Sequence, residues 1–135
     1  MIFYAFVFFA NASIVVIVSD MADPRIRTIK IKCGIVKRLA KEKTVYEKEA
    51  EQQRVRVEKY KQENRDEYEI RKQEEVLQES LMMVPDCQRR LVKAYDDLKV
   101  ILNDEQDLKE SEEYITAAKI LEDAAQHLSK LIETV

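Results

Sequence analysis

Between Asp66 and Leu108 apolar residues return at seven-residue steps, with a second row between them. With Ile70 at heptad position a, Leu77, Val84, Leu91 and Leu98 follow at a, while Cys87, Ala94, Ile101 and Leu108 fill d. Only Gln73, Ser80 and Glu105 break the seam. A repeat held over about five heptads predicts a helix lying along partner helices, because this spacing keeps one stripe facing inward. Pro85 falls inside the run. Proline lacks a backbone donor and crowds the carbonyl four residues back, yet the seam keeps its register on both sides. One helix bent at Pro85 is therefore expected, with the proline at b on the outer face.

The preceding stretch repeats the pattern. Ile29, Val36, Ala50 and Val57 occupy a, and Leu39, Tyr46 and Tyr60 occupy d, with Lys32, Lys43 and Gln53 as polar exceptions. Asp23-Pro24 opens this helix: a carboxylate to cap free amides, then proline at the first helical position, where its missing donor costs nothing. Gly34 falls at f on the outer face. The helix should run over 24–63, a rod of about 60 Å. Asn64-Arg65-Asp66 reads as a tight turn, and Asp66 with Glu69 resembles a capping box. The second helix should then return antiparallel over 66–106. Ser111, followed by Glu112 and Glu113, predicts the start of a third helix over 111–134. That helix carries Tyr114, Leu121, Leu128 and Val135 at a, and Ala117, Ala124 and Leu131 at d. The fold class expected is all-α: an antiparallel three-helix bundle with left-handed, coiled-coil-like packing and a shorter third helix.

The e positions say where the short helix lies. Ile26, Cys33 and Ala40 widen the stripe of the first helix, and Glu47, Arg54 and Lys61 close it again. In the second helix Glu67 and Glu74 are polar at e, whereas Leu81, Tyr95 and Leu102 are apolar, with Gln88 the exception. A wide stripe serves two neighbours and a narrow one serves a single neighbour. The third helix should cover 24–46 and 81–105, leaving a two-stranded tip over 49–80.

Composition agrees with this plan. The 135 residues suffice for one domain, and one glycine, two prolines and 36% charged residues leave little turn chemistry. The formal net charge of −3 carries no signature of polyanion binding. Cations nevertheless crowd the start, at Arg25, Arg27, Lys30, Lys32, Lys37, Arg38, Lys41 and Lys43, while the last third is acidic; such runs most often are solvated faces. Cys33 and Cys87 make no disulfide framework and read as small core residues of a reducing compartment, a buried bridge between them being the alternative. Residues 1–20 are different material, since Met1 to Val18 has no charged side chain. This extension could be a secretory signal, although it lacks a basic start, or a short anchor of about 27 Å against a hydrocarbon core of about 30 Å. The reading preferred is that the protein begins at Met21, because composition switches abruptly there; the domain is then 21–135, and a membrane role holds only if residues 1–20 are real.

No catalytic residue, cofactor site or metal site is expected. The single histidine, His127, has Asp123 one turn before it, but no third ligand is indicated, and a surface histidine is the simpler reading. A di-metal carboxylate bundle needs two histidines. A Cys-His dyad would take Cys33 or Cys87 out of the seam. A phosphate cradle needs glycine, and Gly34 lies within a helix. The carboxylates fall on water-facing positions. Nucleic acid is not expected either, since the basic segment Arg25 to Lys43 lacks a recognition helix and is committed to the bundle. What remains is a protein that acts through its surface, with no small-molecule substrate.

Three stretches carry a family resemblance: MADPRIRTIKIK from Met21, VKRLAKEKTVYEKEAEQQ from Val36 and LQESLMMVPDCQRRL from Leu77. Over about 21–130 the chain resembles the tubulin-binding cofactor A (tubulin-specific chaperone A) family, and the segment Met82 to Arg90 is specific to it. The resemblance implies a small cytoplasmic, cytoskeleton-associated three-helix bundle that uses no cofactor. It would capture β-tubulin after release from the chaperonin and pass it to αβ-heterodimer assembly, alongside other tubulin-folding cofactors. Residues 1–20 have no counterpart in the family pattern. The contact face expected is the outer surface near the bend, Asp86, Gln88, Arg89 and Arg90, with Lys37, Arg38, Lys41 and Glu42 on the first helix; solvated bundle residues are the plainer reading of each. The rival class is a structural spacer, either a spectrin-like unit or a helical adaptor tethered through residues 1–20. Spectrin-type repeats bury tryptophan and occur in tandem, and this chain has no Trp and no second copy.

Overall fold

The computed structural model describes residues 23–129. The readings of residues 1–20, of a start at Met21 and of Leu131 and Val135 in the third seam lie outside the described residues. Three helices form: α1 (Pro24–Gln62), α2 (Glu67–Asp104) and α3 (Glu112–Ser129), with a short 3-10 turn at Gln106–Leu108 between the last two. Contacts between α1 and α2 run in opposite order along the two chains: Gln53 meets Gln73, Leu39 meets Cys87, Lys32 meets Asp97 and Arg25 meets Glu105. The pair is an antiparallel hairpin. The third helix runs parallel to α1, its start beside Lys30 and Cys33 and its end at Lys43.

The seams of the hairpin's base close as their spacing requires. Ile29, Val36, Leu91 and Leu98 are the largest fully enclosed side chains, and Tyr114, Ala117 and Ala124 of α3 complete the same core. Burying each of the four large aliphatic groups is worth about 1.5–3 kcal/mol. Cys33 and Cys87 are free, buried thiols, and the Cys87 Sγ donates to the Leu39 carbonyl at 3.4 Å. Burial pushes both thiols up in pKa, away from the reactive thiolate. Tyr114 sends its hydroxyl to the Leu102 carbonyl at 2.9 Å, so its one polar atom is satisfied inside the bundle.

Toward the tip the core thins. Beyond Tyr46 the buried residues of α1 are Ala50, Gln53 and Val57, and α2 has none before Cys87. Gln53, only 6% exposed, donates from Nε2 to the Gln73 side-chain oxygen at 2.9 Å and to its carbonyl at 3.1 Å. Lys43, only 3% exposed, sits where α3 ends, and its Nζ reaches the Glu47 carboxylate at 2.7 Å and the His127 carbonyl at 3.5 Å. Two polar exceptions in the α1 seam are thus buried and bonded, while Lys32 remains half-exposed opposite Asp97.

The helix ends follow local chemistry, with two departures. The Asp23 side chain accepts from the Arg25 amide at 2.9 Å, and the Ser111 Oγ accepts from the Tyr114 amide at 3.2 Å, as their positions predict. At the other end of α1, Asn64 takes a positive φ of 49°. Its amide bonds Lys61 and the next amide bonds Tyr60, the paired closure that lets a left-handed residue end a helix. Asp66, by contrast, forms no capping box: its side chain makes no cap hydrogen bond, and the exposed first turn of α2 leaves its amides open to water. Nor does α2 reach 106. Glu105 leaves the helical region at φ −106°, ψ 47°, which turns its carboxylate onto Arg25 and sends the chain into the 3-10 turn. Pro85 interrupts nothing; α2 is continuous through it, and the ring is exposed.

Candidate functional site

The hairpin leaves two long flanks between α1 and α2. One is half covered by α3, and the other is uncovered by any of the described residues. On the open flank Glu42 lies close enough to Cys87 for its charge to act on that thiol, together with Asp86 and Arg90 from α2. Arg38 pairs with Glu42 at 3.6 Å, and Asp86 is gripped by Arg89 at 3.4 Å and by Arg90 at 3.0 Å. Just toward the tip, Tyr46, Val76, Met82 and Met83 line a groove of about 480 Å³ with Glu49 and Glu79 at its edge. Met82 is 70% exposed. An unbranched, polarizable thioether standing in solvent can adapt to varied apolar surfaces, which makes this groove a candidate contact surface.

The covered flank holds a second, larger groove. Val36, Ala40 and Val45 of α1 and Ile120 and Ala124 of α3 floor a cavity of about 670 Å³, rimmed by Lys37, Lys41 and Lys48 on one side and Asp123 and His127 on the other. The eight residues singled out in the sequence are therefore not on one face. Arg38, Glu42, Asp86, Arg89 and Arg90 come together on or beside the open flank, while Lys37 and Lys41 stand on the opposite side of α1. Gln88 belongs to neither: it is half-buried at e, and its Oε1 is enclosed without a hydrogen-bond partner.

Two expectations about chemistry need correction. His127 is not a plain surface histidine but is half-buried in the groove wall, because it falls with Ile120 at g, the side of α3 that faces α1 across the groove. Glu113 is not wholly water-facing, since one of its carboxylate oxygens is enclosed with no hydrogen-bond partner, close to Lys30 and Cys33. The feature that sequence periodicity missed is the network at the base. Arg25 donates to Asp23 at 2.8 Å, to Glu105 at 2.6 Å and to Asp107 at 2.9 Å, tying the start of α1 to the α2–α3 connection. Those hydrogen bonds, the Asp23 one foremost, hold the guanidinium well above its ordinary pKa, and the side-chain bond from Arg25 lowers that of Asp23. Its only sequence sign was an acidic pair, Glu105 and Asp107, just past the end of a seam.

Among the described residues no helix is long and apolar enough to cross a membrane. Fold and surface together define a small all-α bundle of the coiled-coil type, whose features of note are two grooves flanked by charge. The sequence profile described as "Tubulin binding cofactor A" matches residues 24–121, and this chain belongs to that family. Tubulin-specific chaperone A of Rattus norvegicus is 61% identical over 102 residues, which cover 76% of this chain and 94% of the rat protein. Two solved structures share the fold. Human tubulin chaperone cofactor A matches with a TM-score of 0.67 at 55% identity, covering 76% of this chain and 99% of the human one. Tubulin folding cofactor A from Arabidopsis thaliana gives a TM-score of 0.70 at 39% identity, covering 76% of this chain and 97% of the plant one.

Proposed function

We propose that this chain is a tubulin-folding cofactor that captures β-tubulin released from the chaperonin and passes it on for assembly into the αβ heterodimer, using no nucleotide and no covalent chemistry. It works in the cytoplasm beside the microtubule system, with other tubulin-folding cofactors as further partners. The observation that carries this reading is membership of the family over nearly the whole bundle, with relatives named for tubulin matched along most of their own length. The physics is compatible with it. A helical rod whose backbone is satisfied internally offers side chains only, so it can mask an exposed surface without adding a strand to it. Ionic contacts then keep the complex reversible and salt-sensitive.

The contact assigned to β-tubulin is the open flank, with Arg89, Arg90 and Asp86 beside the Met82–Met83 groove and with Arg38 and Glu42 across from them. Gln88, half-buried at e, and Lys37 and Lys41, on the opposite side of α1, lie outside this contact. Arg89 and Arg90 are largely exposed, so reversing both charges leaves the core untouched. The double variant Arg89→Glu/Arg90→Glu should bind unassembled β-tubulin about tenfold more weakly by co-sedimentation, with unchanged helicity. Undiminished binding would place the contact elsewhere, and a native chain that ignores unassembled β-tubulin altogether would end the reading.

A further inference from the structure

The groove between α1 and α3 is left unused by that contact, and its chemistry points to a different kind of occupant. We infer that it docks an acidic amphipathic helix of a partner protein, one that presents a row of apolar side chains flanked by carboxylates. Between its charged rims the groove is mostly aliphatic, with Val36, Ala40, Val45, Ile120 and Ala124 joined by Thr44 and Thr116, and its volume of about 670 Å³ suits several apolar side chains. Val45 remains 43% exposed at its edge. Lys37 and Lys41 stand one turn apart on α1 and Lys48 two turns further on, a ridge of about 16 Å, or some three turns of a docked helix.

The position of these lysines is the argument for charge. Along α1 some cations are engaged, Lys32 with Asp97, Arg38 with Glu42, Lys43 with Glu47 and Lys61 with Glu74, while Arg27, Lys30 and Arg56 are unpaired among the described residues but do not line this groove. Lys37, Lys41 and Lys48 make no ion pair among the described residues, although they stand beside a groove that would bring carboxylates to them. Asp123 is the carboxylate on the facing rim, and His127 has given its carbonyl to Lys43. A nucleic-acid strand fits less well, because it would need stacking platforms and this floor has no aromatic ring. The assignment does not depend on which client the open flank holds.

The test uses the full chain and a labelled synthetic helix of about three turns, with leucines at i, i+3, i+4 and i+7 and glutamates beside them, read by fluorescence anisotropy. Binding should weaken about tenfold in Lys37→Glu/Lys41→Glu, and similarly in Val45→Ser, with helicity by circular dichroism unchanged. It should also fall as salt rises from about 0.05 to about 0.3 M. Replacing the peptide's glutamates by lysines should abolish it. The inference is overturned if the peptide does not bind, if the lysine version binds as well, if a thymidine oligonucleotide binds as tightly, or if the rim variants bind undiminished. It is equally overturned if the groove is already occupied: sedimentation would then show a dimer dissociated by Lys37→Glu/Lys41→Glu, or removal of residues 1–22 or 130–135 would be needed before the peptide binds. None of these readouts measures tubulin capture, so either proposal can fail without the other.

Discussion

At the scale of single residues, side chains that break the pattern have found partners. Lys43 and Gln53 occupy seam positions that an apolar residue would fill more cheaply, and each is bonded across or along the hairpin. A buried polar pair of this kind fixes register, because sliding α1 by one turn would leave the Gln53 amide unpaired. Arg25 does the corresponding work at the base, where three carboxylates converge on it. Its pairing has a measurable sign. The side-chain hydrogen bond from Arg25, then its backbone amide, depress the folded-state pKa of Asp23 below the ordinary carboxylate value. That pairing therefore stabilises the fold above the unfolded-state pKa of Asp23 and is lost as the pH falls through the lower, folded value. Titration of the Asp23 carboxyl by NMR should give a midpoint below that of a free aspartate, and Arg25→Gln should raise it back. An unshifted midpoint would mean that the base network does not persist in solution.

At the scale of elements, the ends of the helices are set by local chemistry and their middles by packing. Asn64 accepts a left-handed backbone and closes α1 with two hydrogen bonds, which lets the chain reverse in few residues. Proline in the middle of α2 is the opposite case. It deletes one backbone hydrogen bond, to the Leu81 carbonyl, in a helix that nevertheless continues because Val84, Cys87 and Leu91 hold its seam against α1 and α3. Since the ring is exposed, Pro85→Ala removes no core contact and should stabilise the protein by about 1–3 kcal/mol in denaturant melts. A loss of stability instead would mean that the local geometry imposed by proline is what seats Cys87 and Leu91.

At the scale of the whole molecule, the bundle is lopsided by design of length. The third helix shields one half of the hairpin, where every large enclosed side chain lies, and the other half rests on Ala50, Gln53 and Val57. Few buried apolar contacts mean cheap local opening. Amide exchange within the helices should therefore be fastest over 49–80 and slowest around Ile29, Val36, Leu91 and Leu98. Equal protection along both long helices would refute this division. The methionine groove lies at the border between the thin tip and the firm base.

Much of this was legible in the chain. The heptad spacing of Ile29 and Val36, of Leu91 and Leu98, and of Tyr114 and Leu121 determined three helices and their inward faces, because a period close to that of the helix leaves one stripe to bury. The widened e positions, from Ile26 to Ala40 and from Tyr95 to Leu102, determined which half of the hairpin would receive the third helix. Periodicity could not reach what depends on flank and orientation. Lys37 and Arg38 are neighbours in sequence, yet the turn of a helix between successive residues is about 100°, so Lys37 lines the groove beside α3 while Arg38 pairs with Glu42 on the other flank. Only the packing of α3 decided that the flank of Lys37 would hold a mostly aliphatic groove with lysines along it, and that His127 would be in its wall. Only the folded backbone brought Glu105 and Asp107 to Arg25, because contacts between residues distant along the chain leave no spacing to read; they exist once the helices have turned back on one another.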